Sequence, residues 1–257
     1  MSRHGFRATV FCFCSLFLAA FGVVPSYAIS KDFNQTVPLQ PCGTFELQNV
    51  NGPVDVEGWD RNEVEIHAVK TAKQQEADLE RVSIEVSARP DAVAVTTRYP
   101  QNEGVEVAVE YTIHVPHRVH VEHIGTVNGT LRISGLDNVE DLHTVNGDIE
   151  VFEAGGNVRA HTTNGNVRVE LAHPPSDKAG ATAETTNGSL VLAVPSSLEA
   201  DVEARCLNGN FYSELPITME STDRPREMRG KLGRGGVPIH LRTVNGGIRL
   251  IVLRSSV

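Results

Sequence analysis

The chain has 257 residues, with 23 basic against 32 acidic side chains and a net charge of -9. That acidity argues against nucleic acid and anionic membrane surfaces as partners, because both reward clustered lysine and arginine. The length allows one or two domains with a substantial core.

The first 28 residues read as a secretory signal peptide, not as part of the fold. Arg3 and Arg7 give a positive start, Val10 to Val24 is almost wholly apolar, and Ser26-Tyr27-Ala28 places small residues at -3 and -1 of a cleavage site. The apolar run is short for a bilayer span, and no other stretch is long and apolar enough to cross one. Cys12 and Cys14 lie inside the run without a lipobox-like context, so no lipid anchor is expected. Cleavage after Ala28 leaves 229 residues, removes two of the 23 basic side chains and brings the charge to -11. The expected product is exported, whether periplasmic, displayed at the cell surface or secreted.

Residues 29–123 read as an irregular β region. Strand-like alternation marks Thr44–Val50, Val54–Trp59, Val64–Lys70, Ser83–Ala88, Ala92–Arg98 and Val105–Val115. Between them, Thr71–Arg81 has helix-forming composition and predicts a short helix over a sheet edge. His114, His117, His120 and His123 recur every three residues. On a strand that step alternates faces, pairing His114 with His120 and His117 with His123, so a four-histidine metal site is not expected.

Seven Asn-Gly pairs punctuate the chain: Asn51-Gly52, Asn128-Gly129, Asn146-Gly147, Asn164-Gly165, Asn187-Gly188, Asn208-Gly209 and Asn245-Gly246. Three and five residues after each Asn stand mostly apolar residues, such as Leu131 and Ile133 or Val167 and Val169, with polar ones between. Four before it stand Leu47, Ile124, Leu142, Ala160, Ala183, Ala204 and Leu241. Two before it Thr recurs, except at Asn49 and Cys206. Each unit is therefore strand, tight turn, strand, with one buried face on both arms. Asn and Gly suit such a turn because both tolerate positive φ.

A type I′ hairpin would pair the flanking strands with each other, whereas a solenoid corner pairs each strand with its counterpart one coil away. Asn128, Asn146 and Asn164 are 18 residues apart, and Asn187 and Asn208 follow at 23 and 21. Like residues at like positions favour the solenoid, which stacks Thr on Thr and Asn on Asn at about 4.8 Å. A hairpin-built sandwich or barrel is the competing reading. His143 and His161 share one repeat position and would stack, although Gln48, Glu184, Arg205 and Arg242 make that position an ordinary solvated face.

Two insertions, His173–Ala181 and Glu214–Gly236, break the rhythm. The second carries Arg224, Arg226, Arg229, Lys231 and Arg234 among glycines. A basic loop on an acidic protein is the best candidate for contact with an anionic partner, against the plainer reading of a surface excursion. Cys42 and Cys206 survive cleavage and would pair in an oxidising compartment if their Cα atoms approach within about 7 Å; otherwise they are inert thiols.

Catalytic signatures are missing: no Gly-x-Ser-x-Gly elbow, no phosphate-binding glycine loop, no His-Glu-x-x-His. Glu150 and Glu170 are neighbouring carboxylates of the kind a glycosidase uses, but nothing singles them out from other outer-face acids. After Asn-Gly come Pro53, Thr130, Asp148, Asn166, Ser189, Asn210 and Gly247, too few carboxylates for a calcium ladder. No cofactor is expected.

Thr144–Val151 (TVNGDIEV), the Thr-Val-Asn-Gly units at Thr126 and Thr243, Asn49–Trp59 (NVNGPVDVEGW), Tyr111–Pro116 (YTIHVP) and Gly233–Gly236 together resemble the putative adhesin family of bacterial envelope proteins, the DUF4097-type β-solenoid domain. The resemblance covers nearly all of the mature chain and implies a fold, but no ligand, catalytic residue or cofactor. The expectation is an all-β solenoid: a signal peptide at 1–28, an irregular region at 29–123 holding the first repeat, and regular coils at 124–257 interrupted by the basic insertion at 214–236. Its expected role is non-enzymatic, presenting a rigid face to a glycan or envelope protein. The rival readings are a polysaccharide-active β-helix enzyme and a periplasmic envelope-stress or assembly factor.

Overall fold

A computed structural model describes residues 29–73, 75–100, 104–172, 180–220 and 226–254, so the expected signal peptide at 1–28 lies outside the described residues. The N-terminal part contains β1 (Ile29–Pro38), β2 (Thr44–Gln48), β3 (Val54–Trp59), β4 (Glu63–Ala72), α1 (Ala77–Arg81), β5 (Ser83–Arg89), β6 (Ala92–Arg98) and β7 (Val107–Pro116). Regular strand pairs follow: β8 (His120–Gly125) and β9 (Leu131–Ser134), β10 (Asn138–Asn146) and β11 (Ile149–Ala154), β12 (Val158–Asn164) and β13 (Val167–Leu171), β14 (Ala181–Asn187) and β15 (Leu190–Val194). The chain finishes with β16 (Ala200–Asn208), β17 (Phe211–Ser213), β18 (Ile217–Glu220), β19 (Glu227–Leu232), β20 (Val237–Asn245) and β21 (Ile248–Val252).

The strands form two sheets. The first runs β1-β4-β7-β3-β9-β11-β13-β15-β21-β17, the second β18-β19-β16-β20-β14-β12-β10-β8-β2-β6-β5. Each Asn-Gly pair joins a strand of the second sheet to one of the first, so the flanking strands never pair with each other, and the hairpin reading falls. Pairing runs coil to coil, parallel and in register: Thr144 opposite Thr162 opposite Thr185, and Asn146 opposite Asn164 opposite Asn187. Period-two alternation does the rest. Along β12, Val158, Ala160 and Thr162 are buried while Arg159 is exposed. Leu47, Ile124, Leu142 and Leu241 from the second sheet meet Val54, Leu131, Ile149, Val167, Leu190 and Ile248 from the first in one continuous core. Each such side chain contributes about 1.5–3 kcal/mol on burial.

Stacking order departs from chain order at both ends. By residue range the coils lie 92–116, 44–59, 120–134, 138–154, 158–171, 181–194, 237–252, 200–213. The coil made first and the coil made last are each tucked one place inside the stack. Later chain closes over the first coil and earlier chain over the last, and antiparallel strands then finish three of the four sheet edges: β4 and β1, β5, and β19 with β18. A solenoid that stopped at a parallel coil would expose long unpaired edges, and this arrangement blunts them. Within the N-terminal cap, Tyr111 is fully buried and its hydroxyl meets Thr97 Oγ1 at 2.7 Å, and burial pushes the phenol up to about 12.

The expected helix at Thr71–Arg81 is mostly something else. β4 runs on to Ala72, and only Ala77–Arg81 is helical. Thr71 and Ala72 instead continue the antiparallel ladder, opposite Ser30 and Ile29 of β1 and Ala108 and Val107 of β7. At the other end of α1 the buried Lys70 ammonium donates to the carbonyls of Leu79 at 2.6 Å and Val82 at 2.9 Å, satisfying acceptors that so short a helix leaves open. Burial, with the Lys31 charge adding to it, holds the Lys70 pKa below the usual lysine value. The 214–236 insertion is likewise not a loop alone, since β18 and β19 extend the second sheet past β16.

Candidate functional site

The Asn-Gly edge is a continuous hydrogen-bonded ladder. Side-chain amides donate from Asn128 to Asn51, Asn146 to Asn128, Asn164 to Asn146, Asn187 to Asn164, Asn245 to Asn187 and Asn208 to Asn245, at 2.8–2.9 Å. Just inside, Thr144, Thr162, Thr185 and Thr243 donate their hydroxyls to the glycine carbonyls of the preceding coil in the stack, at 2.9–3.0 Å. Cys206 stands in a threonine position and points its Sγ at Gly246 O, 2.9 Å away.

Glycine is required here for a reason other than the one the sequence suggested. Among the repeat glycines only Gly52 and Gly246 have clearly positive φ, at 121° and 151°, and no repeat asparagine does. What excludes a side chain is proximity: a Cβ at Gly147, Gly165 or Gly188 would lie 1.9 Å from the glycine carbonyl of the preceding coil.

The cysteine pairing is corrected. Both thiols are free, Cys42 exposed and Cys206 buried. β2, which follows Cys42, and β16, which holds Cys206, are separated in the second sheet by β8, β10, β12, β14 and β20. At about 4.8 Å per strand, that distance is far beyond disulfide reach.

Within the basic insertion Arg229, Lys231 and Arg234 pair with carboxylates of the chain. Arg229 bonds Glu227 at 2.6 Å and reaches Glu203 at 3.3 Å; Lys231 sits 3.4 Å from Glu220 and 4.0 Å from Asp201. Arg234 holds Glu199 at 2.9 Å. The hydrogen bonds to Glu227 and Glu199 raise the pKa values of Arg229 and Arg234 respectively. Arg226 adopts positive φ, 65°, and its carbonyl accepts from Cys206 N–H. Arg224 lies outside the described residues. The two carboxylates of the glycosidase reading are also engaged, Glu150 by Arg132 at 3.0 Å and Glu170 by Arg168.

The histidines disperse. Pro116 ends β7, so His114 and His120 belong to different sheets, not to one strand face. His114 stacks on Trp59 at 5.1 Å, His117 donates to Gly135 O at 2.6 Å, His120 meets Asn138 at 2.7 Å and His123 meets Asp141 at 2.7 Å. Among the described residues no three His, Cys, Asp or Glu side chains converge as a metal site. His143 and His161 do stack, at 5.4 Å and nearly parallel. Burial first, then the His161 charge, lowers the His143 pKa.

These last residues belong to the outer face of the second sheet, where coils differ. Its N-terminal half is acidic. A hydrogen bond with Glu46 raises the Glu122 pKa, with burial and the Glu46 and Glu140 charges adding to it. Toward the C-terminal half stand Arg159, His161, Glu184, His240, Arg242, Glu203 and Arg205, on β12, β14, β20 and β16. A groove of about 370 Å³ opens there between Arg159 and His240, floored by Gly180 and Thr182. A second of about 290 Å³ adjoins it, lined by Thr182, His240, Arg242 and Arg205. In sequence, His161, Glu184, Arg205 and Arg242 share a repeat position that reads as an ordinary solvated face; the register sets Arg159, Thr182, His240 and Glu203 beside them as a second level.

The fold is similar to that of a putative cell adhesion protein from Clostridium sporogenes ATCC 15579, with a TM-score of 0.52 at 11% identity, covering 87% of this chain and 100% of that one. A putative adhesin from Bacteroides fragilis NCTC 9343 and a putative lipid binding protein from Parabacteroides distasonis ATCC 8503 align over the same 87% of this chain and 97% of theirs, at 11% and 8% identity and TM-scores of 0.34 and 0.33. Among curated proteins none matches. The Toastrack DUF4097 model matches residues 36–250, most of the chain, and the chain belongs to that family.

Proposed function

We propose that this is an exported, adhesin-like envelope protein that works by binding, not by catalysis, and holds a rigid patterned face toward a glycan or envelope-protein partner. The observation that carries the reading is the asparagine ladder. It ties seven coils side chain to side chain along one edge, so outward residues on neighbouring strands keep fixed spacing. A frame of that kind suits multivalent contact, in which many weak interactions add at little ordering cost. The arginine-held carboxylates Glu150 and Glu170 supply no free acid–base pair, which weighs against a polysaccharide-cleaving role.

Export rests on the leader-like composition of residues 1–28, and no helix among the described residues is long and apolar enough to cross a membrane. The test is protease accessibility of a C-terminally tagged copy on intact cells, compared with cells whose outer layer has been opened. Cleavage on intact cells is expected. Protection until opening would overturn surface presentation and redirect the search to periplasmic partners.

A further inference from the structure

We infer that the trough on the outer face of the second sheet binds an acidic polysaccharide, with Arg159, Arg242 and Arg205 taking its carboxylates. The inference rests on the glycan-binding side of the function proposed above and gives it a site and a ligand class.

Three observations converge. First, among the described residues these arginines have no ion pair, whereas Arg229, Lys231 and Arg234 are all matched to carboxylates. Arg205 and Arg242 stand directly opposite each other on adjacent strands. Like charges in that relation oppose strand pairing, and no ion pair among the described residues offsets them. The acids beside them are engaged elsewhere: Glu184, in register with Arg242, reaches His161 at 3.6 Å, and Glu227, in register with Arg205, is bound to Arg229 at 2.6 Å.

Second, the surface between the arginines is concave. The two grooves share Thr182 and His240 and form one trough across β12, β14, β20 and β16. Small residues make the floor: Thr182 of β14, between Arg159 and His240, and Gly180 just before that strand.

Third, the lining has mixed chemistry. Guanidinium groups bind carboxylates through paired hydrogen bonds. Asn157, Thr182, Glu184 and Glu203 offer partners for hydroxyl groups. Polyphosphate, which carries no hydroxyl groups between its charges, would leave Glu140, Glu184 and Glu203 facing only anions. A neutral sugar would leave the arginines unused. A chain of sugar acids, with carboxylates separated by hydroxyl-bearing rings, uses both sets.

The test uses polygalacturonate as probe and its methyl-esterified form as the uncharged control, with binding measured calorimetrically on the mature protein. Polygalacturonate is expected to bind at least about tenfold more tightly than the ester. The double variant Arg159→Gln/Arg242→Gln should lose about that factor, while Arg132→Gln/Arg234→Gln, which removes the same formal charge from positions paired to Glu150 and Glu199 outside the trough, should bind like the parent. Both pairs are checked by melting temperature, and Arg205→Gln alone serves if the first pair fails to fold. Equal losses in the two double variants would mean that net charge, not the trough, attracts the polymer. Equal binding of polymer and ester would overturn the trough while leaving a glycan-binding protein in place. No binding of either would overturn the trough and the glycan side of the proposed function together, leaving the protein partner.

Discussion

Along the Asn-Gly edge nearly every coil carries the same three residues, with Asn bonded to Asn, Gly against Gly and Thr bonded to the Gly one coil away. On the outer face of the second sheet the same coils carry Arg159, Thr182, His240 and Glu203 at one level and His161, Glu184, Arg242 and Arg205 at the next. The difference separates two uses of a repeat. At the edge a residue is selected by fit to an identical neighbour, so variation costs stability. On the face a residue meets solvent, so variation is free for recognition. Substitutions should therefore divide by position, not by residue type.

The largest effect is expected where backbone meets backbone. Gly165→Ala places a Cβ 1.9 Å from Gly147 O, and neither strand can give without breaking its register. Denaturant unfolding should show a loss of about 3 kcal/mol or more, if the variant folds at all. Gly104→Ala, with nothing within 4 Å of the new methyl, should unfold with the parent. Equal stability of the two would mean that the stack is looser than its contacts imply.

Next comes the amide ladder. Asn164 donates to Asn146 and accepts from Asn187, whereas Asn208, at the end, only donates to Asn245. Asn164→Ala should cost about 2 kcal/mol and Asn208→Ala about 1 kcal/mol. A ladder of independent contacts predicts that ratio, and a much larger central cost would show that the bonds reinforce one another along the stack.

On the face the sign changes. Arg242→Gln removes an exposed charge that faces Arg205 and has no counter-ion among the described residues. Its melting temperature should match the parent or rise slightly, within about 0.5 kcal/mol. A clear loss would mean that Arg242 has a structural partner and would return the face to the scaffold.

The edge was readable from the sequence because its logic is local and repeated: Thr, Asn and Gly recur at fixed offsets. Alternation gave the buried faces, and the failure of flanking strands to pair follows from the regular spacing of Asn128, Asn146 and Asn164. Two things were not readable. The intercalation of β20 and β21 between earlier coils depends on which edge the chain finds vacant, which no local spacing encodes. Arg205 and Arg242 share a repeat position that reads in sequence as an ordinary solvated face; that they face each other on adjacent strands, with Arg159 one level away, follows from that intercalation. In the dense basic run at 224–234 the fold neutralises Arg229 and Lys231, because antiparallel β19 sets them directly against Glu203 and Asp201 of β16.

The smallest effect tests the face by titration. His143 stacks on His161 from β12, has Asp141 on its own strand, and lies near His123 of β8, whose ring folds over Gly125; Glu184 on β14 faces His161 beyond it. Burial and the neighbouring imidazoles lower the His143 pKa from 6.5, and Asp141 pulls only partly back. The folded protein therefore resists the proton that the unfolded chain accepts. The stability this site contributes is full above the free imidazole value and is lost as pH falls through the lowered folded one. Melting the parent and His143→Gln at pH 7.5 and at about 5 isolates the contribution. The parent should lose slightly more on acidification, because only it must charge a ring stacked against another. Equal losses would mean that the stacked pair opens to accept its proton, and the outer face would then be more pliable than the edge that carries it.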